Sequence, residues 1–195
     1  MDELALILAA RRGDVDSFNT LVLAHQSSAY NLAYRILGES HAAADATQEA
    51  FISAYNNLSQ YRAGSFRGWL MRIVTNACYD ERRRRVRHPE ASLEAMTADG
   101  ESAPRLASSS DDPERIVQQT ALSEAIQDCL NGLNDEQRLV AILCDIQGYD
   151  YAEAATIANT ALGTVKSRLS RARQALRACL QGIGELLPSE YRRES

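Results

Sequence analysis

The chain has 195 residues, 45% of them hydrophobic and 24% charged, and a formal net charge of −5. That length builds one domain comfortably or two small ones. No run approaches the roughly 18 apolar residues that span a membrane. The Met1-Asp-Glu-Leu4 start lacks the basic region of a signal peptide, so the expected location is cytoplasmic.

The hydrophobic pattern is helical throughout. Phe18, Leu21, Val22, His25, Leu32, Ala33, Ile36 and Leu37 recur at three- and four-residue steps up to Gly38 and predict a first long helix. A second helix follows Ser40, with Ala43, Ala46, Ala50, Ala54 and Leu58 along one side. Residues 60–65 break the period and read as a loop. Ser65 is positioned to cap a third long helix with Phe66, Trp69, Leu70, Ile73 and Ala77 inward. From about His88 to Asp112 the composition shifts to Pro, Ser, Ala, Gly and acids, which cannot bury enough apolar area to offset ordering entropy.

Pro113-Glu-Arg115 opens a second helical block, with Leu122, Ala125, Ile126, Cys129, Leu130 and Leu133 as its first stripe. Asn134 with Gln137 resembles a capping box for a helix ending near Gln147-Gly148. Asp150 with Glu153 forms a stronger one, for the helix carrying Ala154, Ala155, Ile157 and Ala158. A turn over 159–163 leads to Thr164, the expected cap of the last helix. The predicted fold class is all-α: two small helical domains, 1–88 and 114–187, joined by a flexible linker, 89–113, with a tail, 188–195. Four cysteines (Cys78, Cys129, Cys144, Cys179) lie far apart with no C-x-x-C pair or His cluster, so reduced, buried thiols are expected rather than a metal site or disulfide.

Charge is strongly segregated. Met1 to Tyr61 holds three Arg against seven acids, while Arg62 to His88 holds eight Arg against two acids. Pro89 to Glu153 is acidic again. Ala154 to Gly184 has no Asp or Glu but contains Lys166, Arg168, Arg171, Arg173 and Arg177. An acidic total opposes free-standing DNA binding, so a partner that recruits the chain to DNA is expected.

Val165, Leu169, Ala172 and Leu176 share the inward face of the last helix, leaving Lys166, Ser167, Ser170, Arg171 and Gln174 outward. A capped helix, a tight turn and a purely basic helix describe a helix-turn-helix. On the second helix, Asp45, Gln48 and Glu49 share a face that suits a basic protein surface. On the third, Arg72, Asn76, Asp80 and Arg83 recur at helical spacing and lead into an arginine run, Arg82 to Arg85. Tyr61, Phe66 and Trp69 flank the loop before it. Aromatics beside cations suit unstacked bases, although Trp69 also fits a core position. No His, Lys or acidic ligand set converges on a catalytic centre, so no enzyme activity and no cofactor are expected.

Taken together, Asp45-Ala-Thr-Gln48-Glu49-Ala-Phe51, Phe66-Arg-Gly-Trp69-Leu-Met-Arg-Ile73, Asn76 with Asp80-Glu-Arg-Arg-Arg-Arg85, and Gly163-Thr-Val-Lys-Ser-Arg-Leu-Ser-Arg-Ala-Arg173 resemble bacterial RNA polymerase sigma factors of the extracytoplasmic-function class. The resemblance implies that the first domain is region 2-like, with Asp45, Gln48, Glu49 and Phe51 docking the β′ clamp helices of core RNA polymerase. It implies a base-capture loop at Tyr61, Arg62 and Ser65. Arg72, Asn76, Asp80, Arg82, Arg83, Arg84 and Arg85 would then meet the −10 element, as duplex and as single strand. The second domain would be region 4-like, near the β flap, with Thr164, Lys166, Ser167, Arg168, Ser170, Arg171 and Gln174 at the −35 element. An anti-sigma partner and a stress or envelope response are implied as well. The competing expectation is a stand-alone helix-turn-helix regulator, which leaves the Asp45 motif without a role. The loop at Ala63-Gly-Ser65 departs from the family in being short and without an obvious specificity residue.

Overall fold

The computed structural model describes residues 2–62, 64–87 and 113–182. The expected tail and, apart from Pro113, the expected linker lie outside the described residues. Among the described residues there is no strand, and no helix is long and apolar enough to cross a membrane.

The first half holds α1 (Glu3–Arg11), α2 (Val15–Leu37), α3 (Ser40–Asn56), a 3-10 turn (Leu58–Gln60) and α4 (Phe66–Arg87). The helix α1 is an addition to the sequence reading. Its apolar residues run continuously from Leu4 to Leu8, so no period singles out a face, yet Ile7 and Ala10 are buried. Asp14 caps α2 by accepting from the Asp16 and Ser17 amides. Those hydrogen bonds, the Ser17 hydroxyl first, hold the Asp14 carboxyl below the usual carboxylate range. Gly38 ends α2 in the left-handed region at φ 80°, its N–H donating to Tyr34 O at 2.7 Å.

The alanine stripe of α3 is buried, Ala43, Ala50 and Ala54 completely, which lets α2 and α4 approach closely on either side. Ser65 caps α4 as expected, accepting the Gly68 N–H at 3.0 Å. Phe66, Leu70, Val74 and Cys78 continue the inner face, all buried, with Trp69 and Ile73 packed at its edge.

The second half holds α5 (Pro113–Asn131), α6 (Asp135–Ala141) running into a π-helical turn (Ile142–Ile146), α7 (Tyr151–Ile157) and α8 (Leu162–Gln181). Asn134 accepts from the Gln137 N–H at 2.9 Å, and the Asp150–Glu153 capping box is complete in both directions. Val165, Leu169 and Ala172 are buried as the periodicity requires.

Two expectations are corrected here. Thr164 does not cap the last helix. The chain turns at Asn159, in the left-handed region at φ 50°, so α8 begins at Leu162 with Ala161 as its N-cap and Thr164 already inside the first turn. Nor are all four thiols free. Cys129 and Cys179 form a disulfide with Cα atoms 5.8 Å apart, joining α5 to α8. Fifty residues separate them in sequence, and only the packing of these two helices brings them together.

Both halves share one continuous core. The guanidinium of Arg138, 6% exposed, donates to Leu130 O, Asn131 O and Leu133 O at the end of α5, and to Ile36 O at the end of α2. A cation among the carbonyls at two helix C-termini complements both macrodipoles. Here it links the two halves.

Candidate partner and nucleic-acid interfaces

Four surfaces collect the residues singled out in the sequence. The first lies on α2 and α3. Asp45, Gln48 and Glu49 are all exposed, and Asp45 pairs with His41 one turn earlier at 3.0 Å. Beside them opens an apolar groove of about 860 Å³, into which Gln48 and the half-buried Phe51 face together with Val15, Val22, Ile52 and Tyr55. Ile52 is 56% exposed and Val15 53%. Large apolar side chains gathered at an open groove mark a partner surface. The groove is absent from the sequence reading, although one signal was present. Ile52 and Tyr55 are apolar yet stand off the alanine stripe that faces the core.

The second surface is the loop before α4. Arg62 and Ser65 are exposed, but Tyr61 is 8% exposed and donates its hydroxyl to Gly64 O at 2.5 Å. Its ring meets Phe66 and Trp69 at centroid distances of 5.6 and 5.5 Å. Burial also pushes the Tyr61 hydroxyl above its ordinary pKa. Tyr61 therefore braces the loop and does not offer a free face for a base.

The third surface is the outer face of α4. Arg72, Asn76, Asp80 and Arg83 are exposed along it, with Arg83 paired to Asp80. The arginine run is less free than its composition suggests. Arg82 pairs with Asp135 at 2.5 Å, and Arg84 pairs with Glu81. Arg85 bridges Glu81 at 2.7 Å and Glu39 at 2.6 Å, tying the end of α4 to the start of α3. Those two carboxylates outweigh desolvation and raise the Arg85 pKa. Glu81 is only 9% exposed, so part of the arginine run neutralises a buried acid.

The fourth surface is α8. Lys166, Ser170 and Gln174 line a shallow concavity of about 400 Å³ with Tyr151, Arg173 and Arg177. Ser167 and Arg171 are exposed beside it. Among the described residues, Lys166, Arg171 and Arg177 have no ion-pair partner. Arg168 is engaged, with Glu136 at 2.5 Å and Thr160 at 3.4 Å. Arg173 makes a two-pronged pair with Asp145 at 2.6 and 3.1 Å, which raises its pKa. Thr164 lies half-buried in the first turn, its carbonyl accepting the Ser167 hydroxyl.

Among the described residues no group of three or more His, Cys, Asp or Glu is placed to hold a metal ion.

Comparison with known proteins follows the same division. The Sigma-70 region 2 family matches residues 21–88, and the Sigma-70, region 4 family matches residues 123–176. The chain is 36% identical to the ECF RNA polymerase sigma factor SigW of Bacillus subtilis, over 91% of this chain and 96% of that one. It is 40% identical to the ECF RNA polymerase sigma factor SigE of Mycolicibacterium smegmatis over 83% of this chain, spanning 60% of that relative's length. Among solved structures it resembles the sigma factor RpoE of Bartonella quintana, solved with the anti-sigma factor NepR, at 27% identity and a TM-score of 0.63. That likeness covers 84% of this chain and 96% of RpoE. It also resembles CnrH, solved with the cytosolic domain of CnrY, at 27% identity and a TM-score of 0.64, covering 91% of this chain and 96% of that one.

Proposed function

The chain belongs to the extracytoplasmic-function class of RNA polymerase sigma factors, and from that premise we propose that it gives core polymerase its promoter specificity in the cytoplasm, with no catalysis of its own. The observation that carries this is the pairing of two reading helices, α4 and α8, with an open apolar groove on the half that a stand-alone helix-turn-helix regulator has no use for.

In this reading residues 1–88 form a region 2-like domain and 114–187 a region 4-like domain. Asp45, Gln48, Glu49 and Phe51, extended by the groove, dock the β′ clamp helices. The groove supplies buried apolar area, and the flanking acids steer basic residues of the partner. The second domain sits near the β flap. On α4, Asn76 and Asp80 face bases of the −10 element while Arg72, Arg82 and Arg83 meet its phosphates. On α8, Lys166, Ser170, Arg171 and Gln174 read the −35 element.

Each surface is weak alone, but polymerase fixes their separation, so binding of one raises the effective concentration of the other. Unstacking costs on the order of a few kcal/mol per base, which contacts from both domains and the polymerase share. The relative solved with an anti-sigma factor supports a protein inhibitor as a further partner, and the groove offers it an apolar surface.

The test is retention on core polymerase. Asp45→Lys with Glu49→Lys, and separately Ile52→Glu, should each weaken core binding about tenfold or more. Unchanged thermal unfolding would show that the fold is intact. Binding at wild-type strength in both variants would refute the assignment of this surface.

A further inference from the structure

Asp145 sits where two fields oppose it. It lies at the end of α6, in the π-helical turn, where a negative charge works against the helix macrodipole. It also lies beside α8, and an acid next to a phosphate-binding face repels the phosphates.

Backbone geometry brings it there. In the turn over Ile142–Ile146 the Gln147 N–H donates to Ile142 O, five residues back, at 2.9 Å. A π-turn adds one residue to a helix, and one residue is about 100° of rotation. Such turns are rare and recur at functional sites. From this turn the Asp145 carboxylate accepts from Arg173 Nη2 at 2.6 Å and from Arg173 Nε at 3.1 Å. A two-pronged pair fixes the plane of the guanidinium as well as its position. It leaves Nη1 for another acceptor, and the Arg173 side chain stays 52% exposed.

Arg173 lines the concavity of about 400 Å³ on α8 together with Lys166, Ser170, Gln174 and Arg177, and Tyr151 at the start of α7 lines it too. Arg177 follows Arg173 by one helical turn, and Lys166 precedes it by two. Three cations thus form a row along one edge of α8. Among the described residues only the middle one is held by an ion pair.

We propose that Arg173 binds a backbone phosphate of the −35 element in this concavity, and that Asp145 is a positioning residue that aims it. Neither residue belongs to the set that the family resemblance assigns to the −35 element. A guanidinium ordered in advance loses less freedom when DNA arrives. This deepens the sigma-factor reading and rests on its assignment of α8 to the promoter. A pair that merely fastened α6 to α8 would have the opposite effect on DNA. Neutralising Asp145 would then remove a repulsive charge and strengthen binding.

The experiment begins with a randomised duplex pool, from which holoenzyme assembled from the full chain and core polymerase enriches its preferred sequence. Affinity for the enriched duplex is then measured by anisotropy across a salt series. Asp145→Asn keeps the shape of the side chain and removes its charge, while Arg173→Gln removes the cation. The double variant closes a double-mutant cycle. Asp128→Asn, exposed on α5, controls for the loss of one acid.

Relative to that control, each single variant should bind the enriched duplex about threefold or more weakly. The double variant should bind no more weakly than Arg173→Gln alone, because both changes disable one contact. The slope of log affinity against log salt should become shallower by about one in both single variants, as one phosphate contact is lost. Affinity at or above the control in Asp145→Asn, additive losses in the double variant, or an unchanged slope in Arg173→Gln would overturn the proposal. The Arg173→Gln slope decides even where Asp145→Asn loses helicity. Failure of the wild-type holoenzyme to enrich any duplex would overturn the sigma-factor reading and this one with it. Intact enrichment with unmoved variants overturns this proposal alone.

Discussion

At the residue scale the side chain with most at stake is Arg138. It is a buried cation whose hydrogen-bond partners are all backbone carbonyls, at the ends of α5 and α2. Burial lowers its pKa, with the nearby Arg82 adding to the effect, yet an arginine stays charged under any ordinary condition. Arg138→Met keeps much of the volume but removes a donor from four carbonyls, of which Leu130 O keeps the Leu133 N–H. The expected cost is about 3 kcal/mol, from buried groups left unsatisfied. Chemical denaturation of the two proteins checks it, and a loss below about 1 kcal/mol would mean that water takes over the role. From sequence, Arg138 is one charged residue in an acidic block. Its importance comes from helix ends that only the tertiary fold assembles.

At the scale of elements, the helices and their inward faces were legible and the attachments between them were not. The stripes of α2, α3, α4 and α8 follow from helical periodicity, because each face is buried against neighbours over several turns. The caps at Ser65 and Asp150 were legible too, being local chemistry within three residues. The disulfide between α5 and α8 was not, because spacing along the chain is silent about which helices lie side by side. It has a direct test. Alkylation in denaturant without reductant should modify two thiols, and four after reduction.

In the native protein Cys144, half-buried, should react slowly, since burial and Asp145 both raise its pKa. Cys78 should not react, because burial first and Glu81 second push its thiol up to about 12 and deny access to the thiolate. Four reactive thiols in unreduced denaturant would contradict the cross-link. Closing a loop of 50 residues contributes about 4 kcal/mol at most by chain entropy, so reduction should lower the melting temperature of the second half measurably.

At the scale of the whole molecule, segregated charge proved informative in a way that composition alone does not explain. The acidic block and the arginine run were both visible in the sequence as separate surfaces. The structure sets part of one against part of the other, Asp135 on Arg82, and leaves Lys166, Arg171 and Arg177 without ion pairs among the described residues. The proposed docking surface, the groove on α2 and α3, also needs tertiary structure. It is formed by residues from two helices, of which the sequence singled out Gln48 and Phe51 on one for docking but none on the other.

On the proposed reading the chain binds polymerase through one surface and reads DNA through two others whose spacing polymerase fixes. Transcription in vitro with core polymerase on fragmented genomic DNA, with the 5′ ends of the transcripts sequenced, tests that account most directly. It predicts starts clustered at a fixed distance downstream of a shared two-part motif, appearing only when the chain is added. Start sites indistinguishable from those of core polymerase alone would contradict it.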